Sequence, residues 1–201
     1  MKNISTIISY LLHPLVMPTA GLLVLFNSST YLSYLPFDAK KVIFLIVALC
    51  TIIIPLSLVP FFLYQKLILN VELKNRRERF IPMISTLLFF LFCYYLLRKI
   101  PVPPAYHSFI LGSSVAVFFT IITTFYWKIS SHMIGIGGLT GLICFLIWSL
   151  RVDLQFFLIL AIMAAGLVGF ARLQLKAHNP AQVYAGFLTG FFSVSLTMLL
   201  Y

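Results

Sequence analysis

A short polar stretch in the last part of the sequence, residues 171–186, has the residue types best suited to chemistry. Arg172 and His178 are six residues apart, and His178 and Gln182 are spaced i, i+4. A guanidinium can hold an anion, and an imidazole can act as nucleophile or general base. An amide one helical turn away can orient that imidazole. The stretch lies between two long apolar runs, so these groups are predicted to meet where buried helices end.

Two further polar clusters precede this stretch. The first, residues 72–82, includes Lys74 and Arg79. The second includes Ser130 and His132, just before a glycine-rich segment. Each cluster alone has a structural explanation, because a solvated basic loop would account for the first and a capped helix start for the second.

The stretch 171–186 also has a structural explanation, since Asn179 would cap a helix and Pro180 would occupy its first turn. Together, however, the clusters gather histidines, serines and many cations near helix ends. Cations and helix N-termini hold phosphate oxygens. One imidazole can attack phosphorus or activate the attacking group, while another donates a proton to the leaving oxygen. The combination therefore predicts a site for phosphoryl transfer.

Composition decides the class of protein. Hydrophobic residues make up 62% of the 201 residues, the mean hydropathy is +1.07, and only 9% of residues are charged. Soluble domains carry about 25% charged residues. The sequence therefore predicts an integral membrane protein of one domain, residues 1–201. Its net charge of +10 fits basic loops at a membrane face and phosphate-binding groups, and no nucleic-acid partner is expected.

Intervals without charged residues define the membrane spans, because a spanning helix needs roughly 20 apolar residues. The apolar stretch after Lys2 is too long for a signal-peptide core and is predicted to be a retained helix. The alternation typical of strands is absent. We expect an all-α, polytopic transmembrane bundle of six to seven helices. The candidate helices are about 5–27, 43–65, 81–98, 106–127, 132–150, 154–171 and 181–200.

Prolines and glycines add detail to these helices. Kinks are expected at Pro14, Pro18, Pro55 and Pro60, and a break at Pro101, Pro103 and Pro104. Close helix packing is expected at Gly137, Gly141, Gly186 and Gly190, which fit the small-xxx-small pattern. His13, beside Pro14, fits a role in packing or interhelical hydrogen bonding.

Alternating spans would place the three polar clusters on one membrane face. That face holds nine of the 14 lysines and arginines, and the other face holds five. The positive-inside rule would make the first face cytoplasmic. If Lys74, Arg79 and Arg172 bind an anion, they are left out of this count, and the two faces then hold six and five lysines and arginines. His132 and His178 share the first face under either interpretation.

The stretch 171–186 resembles the third signature of the type-2 phosphatidic acid phosphatase superfamily, S-R-x5-H-x3-D. Arg172 and His178 stand at the arginine and histidine positions with the same spacing. Ala171 replaces the serine, and Gln182 replaces the aspartate that orients the nucleophilic histidine.

The other two signatures have counterparts in the family's order, within residues 74–186. The second, P-S-G-H, resembles residues 129–132, which read Ile-Ser-Ser-His. The first, K-x6-R-P, resembles the segment from Lys74 to Pro82. Ile81 stands at its arginine position, and Arg79 two residues earlier could reach the same oxygen.

The resemblance implies a helical-bundle core in which the motifs act on lipid phosphates near one membrane face. His178 would attack phosphorus to form a phosphohistidine, and His132 would protonate the leaving alkoxide. The phosphoryl oxygens would be held by Arg172, Lys74, Arg79 and Ser130. Neither a metal nor another cofactor is implied. The partners expected are a lipid phosphate substrate and the surrounding membrane lipids of a bacterial inner membrane, and the oligomeric state is left open.

Gln182 leaves the activity itself open, because an amide cannot supply the charge that stabilises an imidazolium. The enzyme could be slow, Glu72 or Glu78 could supply the charge, or the site could bind anionic headgroups without turnover. A non-catalytic or structural membrane protein is therefore the alternative. A transporter is disfavoured because few ionisable residues lie within the spans. A magnesium-dependent prenyltransferase is disfavoured because paired aspartates are absent.

Overall fold

The protein is helical throughout the part of the chain that the computed structural model describes, residues 2–70 and 77–201. No strand occurs within these residues. The α-helices are α1 Lys2–Leu11, α2 Met17–Asn27, α3 Phe37–Ala48, α4 Ile54–Tyr64, α5 Phe80–Leu97, α6 Pro104–Tyr126, α7 Ser131–Leu150, α8 Gln155–Gln174 and α9 Pro180–Leu200.

These helices form seven segments long and apolar enough to cross a membrane, among the described residues. The first segment joins α1 to α2 and the second joins α3 to α4, while α5 to α9 each supply one. Large apolar side chains such as Phe92, Leu160 and Phe192 remain exposed on the outside of the bundle, as expected where lipid is the solvent. The predicted all-α polytopic bundle is confirmed.

Two of the expected proline irregularities are pronounced. The first segment breaks after Leu11, and a 3-10 turn, Pro14–Val16, leads into α2. In the second segment a π-helical turn, Leu49–Ile53, joins α3 to α4 just before Pro55. Proline lacks an N–H and crowds the carbonyl four residues earlier, so the helix loses a hydrogen bond there and adjusts locally. Pro60, in contrast, lies inside α4.

Glycines bring the backbones of α7 and α9 into direct contact. A methyl group added at Gly141 would lie 2.6 Å from the carbonyl oxygen of Phe191. One added at Gly186 would lie 2.8 Å from the carbonyl oxygen of Ser130. The small-xxx-small prediction is confirmed, and its consequence is local: the N-terminal ends of α7 and α9 lie side by side.

The break in the first segment packs against the start of α7. A methyl group added at Gly135 would lie 3.0 Å from the Cα atom of Pro14. Met17 at the start of α2 is buried with Met133 of α7 and Val168 of α8 in one apolar cluster. This packing places the residues around Pro14 next to the polar ends of α7 and α8.

Candidate functional site

A cavity of about 290 Å³ lies inside the bundle, and its polar lining comes from both ends of the chain. Among the described residues, the charged and imidazole side chains that line it are His13, Arg79, His132, Arg172 and His178. Four of these five were predicted from the three clusters of polar residues, which are far apart in sequence. The packing of α7, α8 and α9 brings His132, Arg172 and His178 together, and Arg79 joins them from the turn before α5.

The side-chain oxygen of Gln182 accepts hydrogen bonds from both Asn179 and His178. Asn179 caps α9, and its Oδ1 accepts the N–H of Gln182 at 2.9 Å. In return, Oε1 of Gln182 accepts the N–H of Asn179 at 3.3 Å, which completes a capping box. The same Oε1 lies 3.0 Å from Nδ1 of His178. Nδ1 must therefore carry the proton, and Nε2 keeps its lone pair.

Burial makes His178 a neutral imidazole. Its side chain is buried, and desolvation lowers its pKa to about 3. The cations Arg79, Arg172 and Lys128 lower the pKa further, whereas the hydrogen bond to Gln182 raises it. At neutral pH, Nε2 of His178 is thus an unprotonated nitrogen surrounded by positive charge.

His132 is oriented by α1 across a long stretch of sequence. Its Nε2 lies 3.1 Å from the carbonyl oxygen of Ser9. A carbonyl can only accept, so Nε2 carries a proton and Nδ1 is the atom that can gain or lose a second one. An imidazole held in this way by a second group is the arrangement used in general acid–base catalysis.

Arg172 is only partly satisfied. Its Nη1 donates to the hydroxyl of Ser9 at 3.3 Å. Its buried Nε has no hydrogen-bond partner among the described residues. An unmet buried donor on a charged group is costly, so an anion with free oxygens would be stabilised here.

Arg79 and Lys128 extend this positive region. Arg79 is 8% exposed and lies in the 3-10 turn Arg77–Arg79 directly before α5. Lys128 precedes α7, and burial together with Arg79 and Arg172 lowers its pKa. Lys128 is the first residue of the second polar cluster in the sequence, but it was not among the residues predicted to hold phosphate.

Ser130 is buried but does not line the cavity. It occupies the N-cap position of α7, but its hydroxyl makes no capping bond. The buried Oγ has no partner among the described residues, and the Ser130 N–H donates to the carbonyl of Gln182 at 3.4 Å. The neighbouring Ser131 lines the cavity and Ser130 does not. Contact between Ser130 and phosphate therefore stays a prediction.

The prediction for Lys74 falls on residues 71–76, outside the described part of the chain, as does that for Glu72. Glu78 is described, and its Oε2 accepts the N–H of Leu69 at 3.2 Å. Of the described residues in the first polar cluster, Arg79 and Pro82 line the cavity.

His13 was interpreted from the sequence as a packing or hydrogen-bonding residue, and it proves to line the cavity. Its ring meets that of His132 edge to face, with centroids 5.4 Å apart. The available signal was a histidine directly before a proline break, where helix geometry is interrupted. No group of three described His, Cys, Asp or Glu residues could hold a metal ion, the three cavity histidines included.

The rest of the cavity lining is mostly apolar, with a few hydroxyl side chains such as Ser113 and Thr120. The apolar residues include Met83 and Phe90 of α5, Phe109 and Val117 of α6, Leu139 of α7 and Val194 of α9. A polar end joined to an apolar end inside one cavity suits an amphiphilic ligand.

Comparison with known proteins adds no relative, because no family model, curated protein or solved structure matches this chain.

Proposed function

We propose that this protein hydrolyses a phosphate monoester or diphosphate of a membrane lipid through a phosphohistidine, as a divergent relative of the type-2 phosphatidic acid phosphatases. The observation that carries the proposal is His178. Its proton is fixed on Nδ1 by Gln182, which leaves a neutral Nε2 among Arg79, Arg172 and Lys128. A nucleophile beside cations that hold phosphoryl oxygens is what phosphoryl transfer requires.

In the first step, Arg172 and Arg79 hold the phosphoryl oxygens. The lone pair on Nε2 of His178 forms an N–P bond while the bond from phosphorus to the lipid oxygen breaks. His132, protonated at Nδ1 while Nε2–H donates to Ser9, gives that proton to the leaving oxygen. The lipid leaves as an alcohol, or as a monophosphate if the substrate is a diphosphate.

In the second step, the neutral Nδ1 of His132 takes a proton from water as the water oxygen attacks phosphorus. The N–P bond breaks, and inorganic phosphate and free His178 are released. Gln182 orients His178 in both steps but supplies no negative charge. Turnover slower than with a carboxylate at this position is therefore expected.

The apolar walls of the cavity would take the hydrocarbon chain of the substrate. The polar end lies at the membrane face shared by the starts of α5, α7 and α9. We place the protein in a bacterial inner membrane, where lipid phosphates are accessible at that face.

The test is turnover by purified protein in detergent with phosphatidate, phosphatidylglycerol phosphate and polyprenyl diphosphate. His178→Ala should abolish phosphate release. His107→Ala is the matched control, because His107 near the start of α6 is a buried histidine that hydrogen-bonds the carbonyl of Leu97 at the end of α5 and does not line the cavity. Equal rates for wild type and His178→Ala would contradict the proposal.

A second candidate function is supported by Gln182 itself, which lacks the charge expected of a catalytic partner. In that case the protein binds anionic lipid headgroups through Arg172 without hydrolysing them. Acid-labile ³²P on His178 after incubation with labelled substrate would exclude this alternative. Arg172-dependent binding with no labelled protein and no phosphate release would support it.

A further inference from the structure

The first helix lies outside all three signature-like motifs, yet it contributes directly to the polar end of the cavity. The Ser9 carbonyl accepts from Nε2 of His132, and the Ser9 hydroxyl accepts from Nη1 of Arg172. That hydroxyl in turn donates to the carbonyl of Ser5 at 2.9 Å. Both Ser5 and Ser9 are buried, so α1 is docked against the polar ends of α7 and α8.

Four residues after Ser9, the helix break presents His13 to the same cavity. The N–H of Leu15 donates to Nδ1 of His13 at 3.3 Å, and this bond caps the 3-10 turn Pro14–Val16. Because Nδ1 is an acceptor, the proton of the neutral ring is on Nε2. His13 is therefore arranged as a hydrogen-bond donor, with its ring against His132.

We infer that His13 is a further phosphate-binding residue, which donates Nε2–H to a phosphoryl oxygen in the cavity. This inference rests on the proposed phosphate site. His13 does not act as the acid, because loss of the Nε2 proton from a ring whose Nδ1 is an acceptor would leave an imidazolate. Its role is thus distinct from those of His178 and His132, and Ser9 is a positioning residue that holds α1 in place.

Two substitutions distinguish the proposed role of Nε2–H as a donor to phosphate from the role of Nδ1 as the cap of the 3-10 turn. In His13→Asn, the short amide oxygen can still accept from Leu15, but nothing replaces Nε2–H. In His13→Gln, the amide nitrogen reaches the position of Nε2, but the cap is lost. The measurement is binding of inorganic phosphate to the purified full chain in detergent, by titration calorimetry, with melting temperatures recorded for each variant.

His13→Asn should weaken phosphate binding roughly ten-fold or more, the effect of losing one hydrogen bond to a charged ligand. The phosphate affinity of His13→Gln should stay within about three-fold of wild type, because this variant retains the N–H donor. His107→Asn, at a buried histidine that does not line the cavity, is the control and should leave affinity unchanged.

The reverse order, with His13→Gln impaired and His13→Asn normal, would show that His13 only caps the turn and would overturn the inference. Wild-type affinity in both variants, or no phosphate binding by the wild type, would overturn it too. The binding assay is independent of turnover. A protein that binds phosphate through His13 but releases none would retain this inference while the proposed hydrolysis fails.

Discussion

At the scale of single residues, Gln182 is the key to the candidate site. From sequence alone its amide could face either way and hold either tautomer of His178. The capping box removes this freedom, because Oε1 accepts from both Asn179 and His178. If the amide were flipped, its NH₂ group would face the N–H of Asn179 and Nδ1–H of His178, which are donors themselves, so no hydrogen bond could form. What Gln182 lacks is charge, and this lack can be tested.

Gln182→Glu should raise turnover of a lipid phosphate. Glutamate has the same shape, keeps both hydrogen bonds and adds a carboxylate beside His178. We expect a gain of about ten- to a hundred-fold in kcat, below the ~10⁴ seen for the orienting aspartate of serine proteases, because the tautomer is already correct.

Gln182→Met is the matched control, since it keeps the length of the side chain but has no oxygen for His178. It should lower kcat below wild type. The interpretation of Gln182 would be wrong if both variants had wild-type kcat.

His178 also predicts how stability depends on pH. Its folded-state pKa is about 3, against an ordinary value of 6.5. Between these values the unfolded chain binds more protons, so stability falls as the pH is lowered below 6.5. The loss from this group should approach about 1.4 kcal/mol per pH unit.

His178→Gln, which cannot titrate, should lose less stability than wild type on going from pH 7 to pH 5. Unfolding in mild detergent followed by circular dichroism measures the difference. Parallel stability curves for the two proteins would show that His178 is not held neutral by the fold.

At the scale of elements, the contact between α7 and α9 sets the distance between the two proposed catalytic histidines. His132 is the second residue of α7, and His178 lies two residues before α9. Glycines on both helices let the backbones touch. A side chain at this interface would therefore disturb both stability and the site.

Gly190→Ala should destabilise the protein by about 1–3 kcal/mol or more, because overpacking against a backbone cannot relax easily. Its methyl group would clash with the carbonyl of Ile134. Gly166→Ala on α8 is the control, since an added methyl group there meets nothing within 4 Å.

The control should be neutral or more stable by up to ~1 kcal/mol through helix propensity. Thermal unfolding in detergent compares the two variants with wild type. Equal melting temperatures for Gly190→Ala and Gly166→Ala would contradict the close contact between α7 and α9.

At the scale of the whole molecule, the described residues contain seven segments long and apolar enough to span a membrane. If each segment crosses once, the starts of α5, α7 and α9 share a face. The polar end of the cavity collects residues from these starts and from the end of α8. An odd number of spans from one loop to another puts the two loops on opposite sides. Topology therefore follows from the order of the spans.

Single cysteines should report this topology. Lys176→Cys should react with a membrane-impermeant maleimide from one side, and Lys99→Cys and Arg151→Cys from the other. All three positions are exposed in loops between spans. The natural Cys50 and Cys93 are buried, and Cys144, which is only partly buried, is replaced by alanine in these variants. Labelling of Lys176→Cys and Lys99→Cys from the same side would exclude the seven-span arrangement.

The sequence by itself determined the all-α membrane bundle, the approximate helix ends, the proline breaks and the Asn179 cap. These depend on local properties: the length of uncharged intervals, the missing N–H of proline and hydrogen bonds between residues three or four apart. The small-xxx-small pattern also predicted close packing, but it did not identify α7 and α9 as the partners.

Only the tertiary structure decided which groups share the cavity. Ser9 meets His132 and Arg172 across 123 and 163 residues, and His13 joins them. Such contacts depend on how helices pack, which no local pattern encodes. The state of His178 depends on both local sequence and tertiary packing. Its tautomer is set by neighbours in sequence, Asn179 and Gln182, whereas the burial that keeps the ring neutral comes from the assembled bundle.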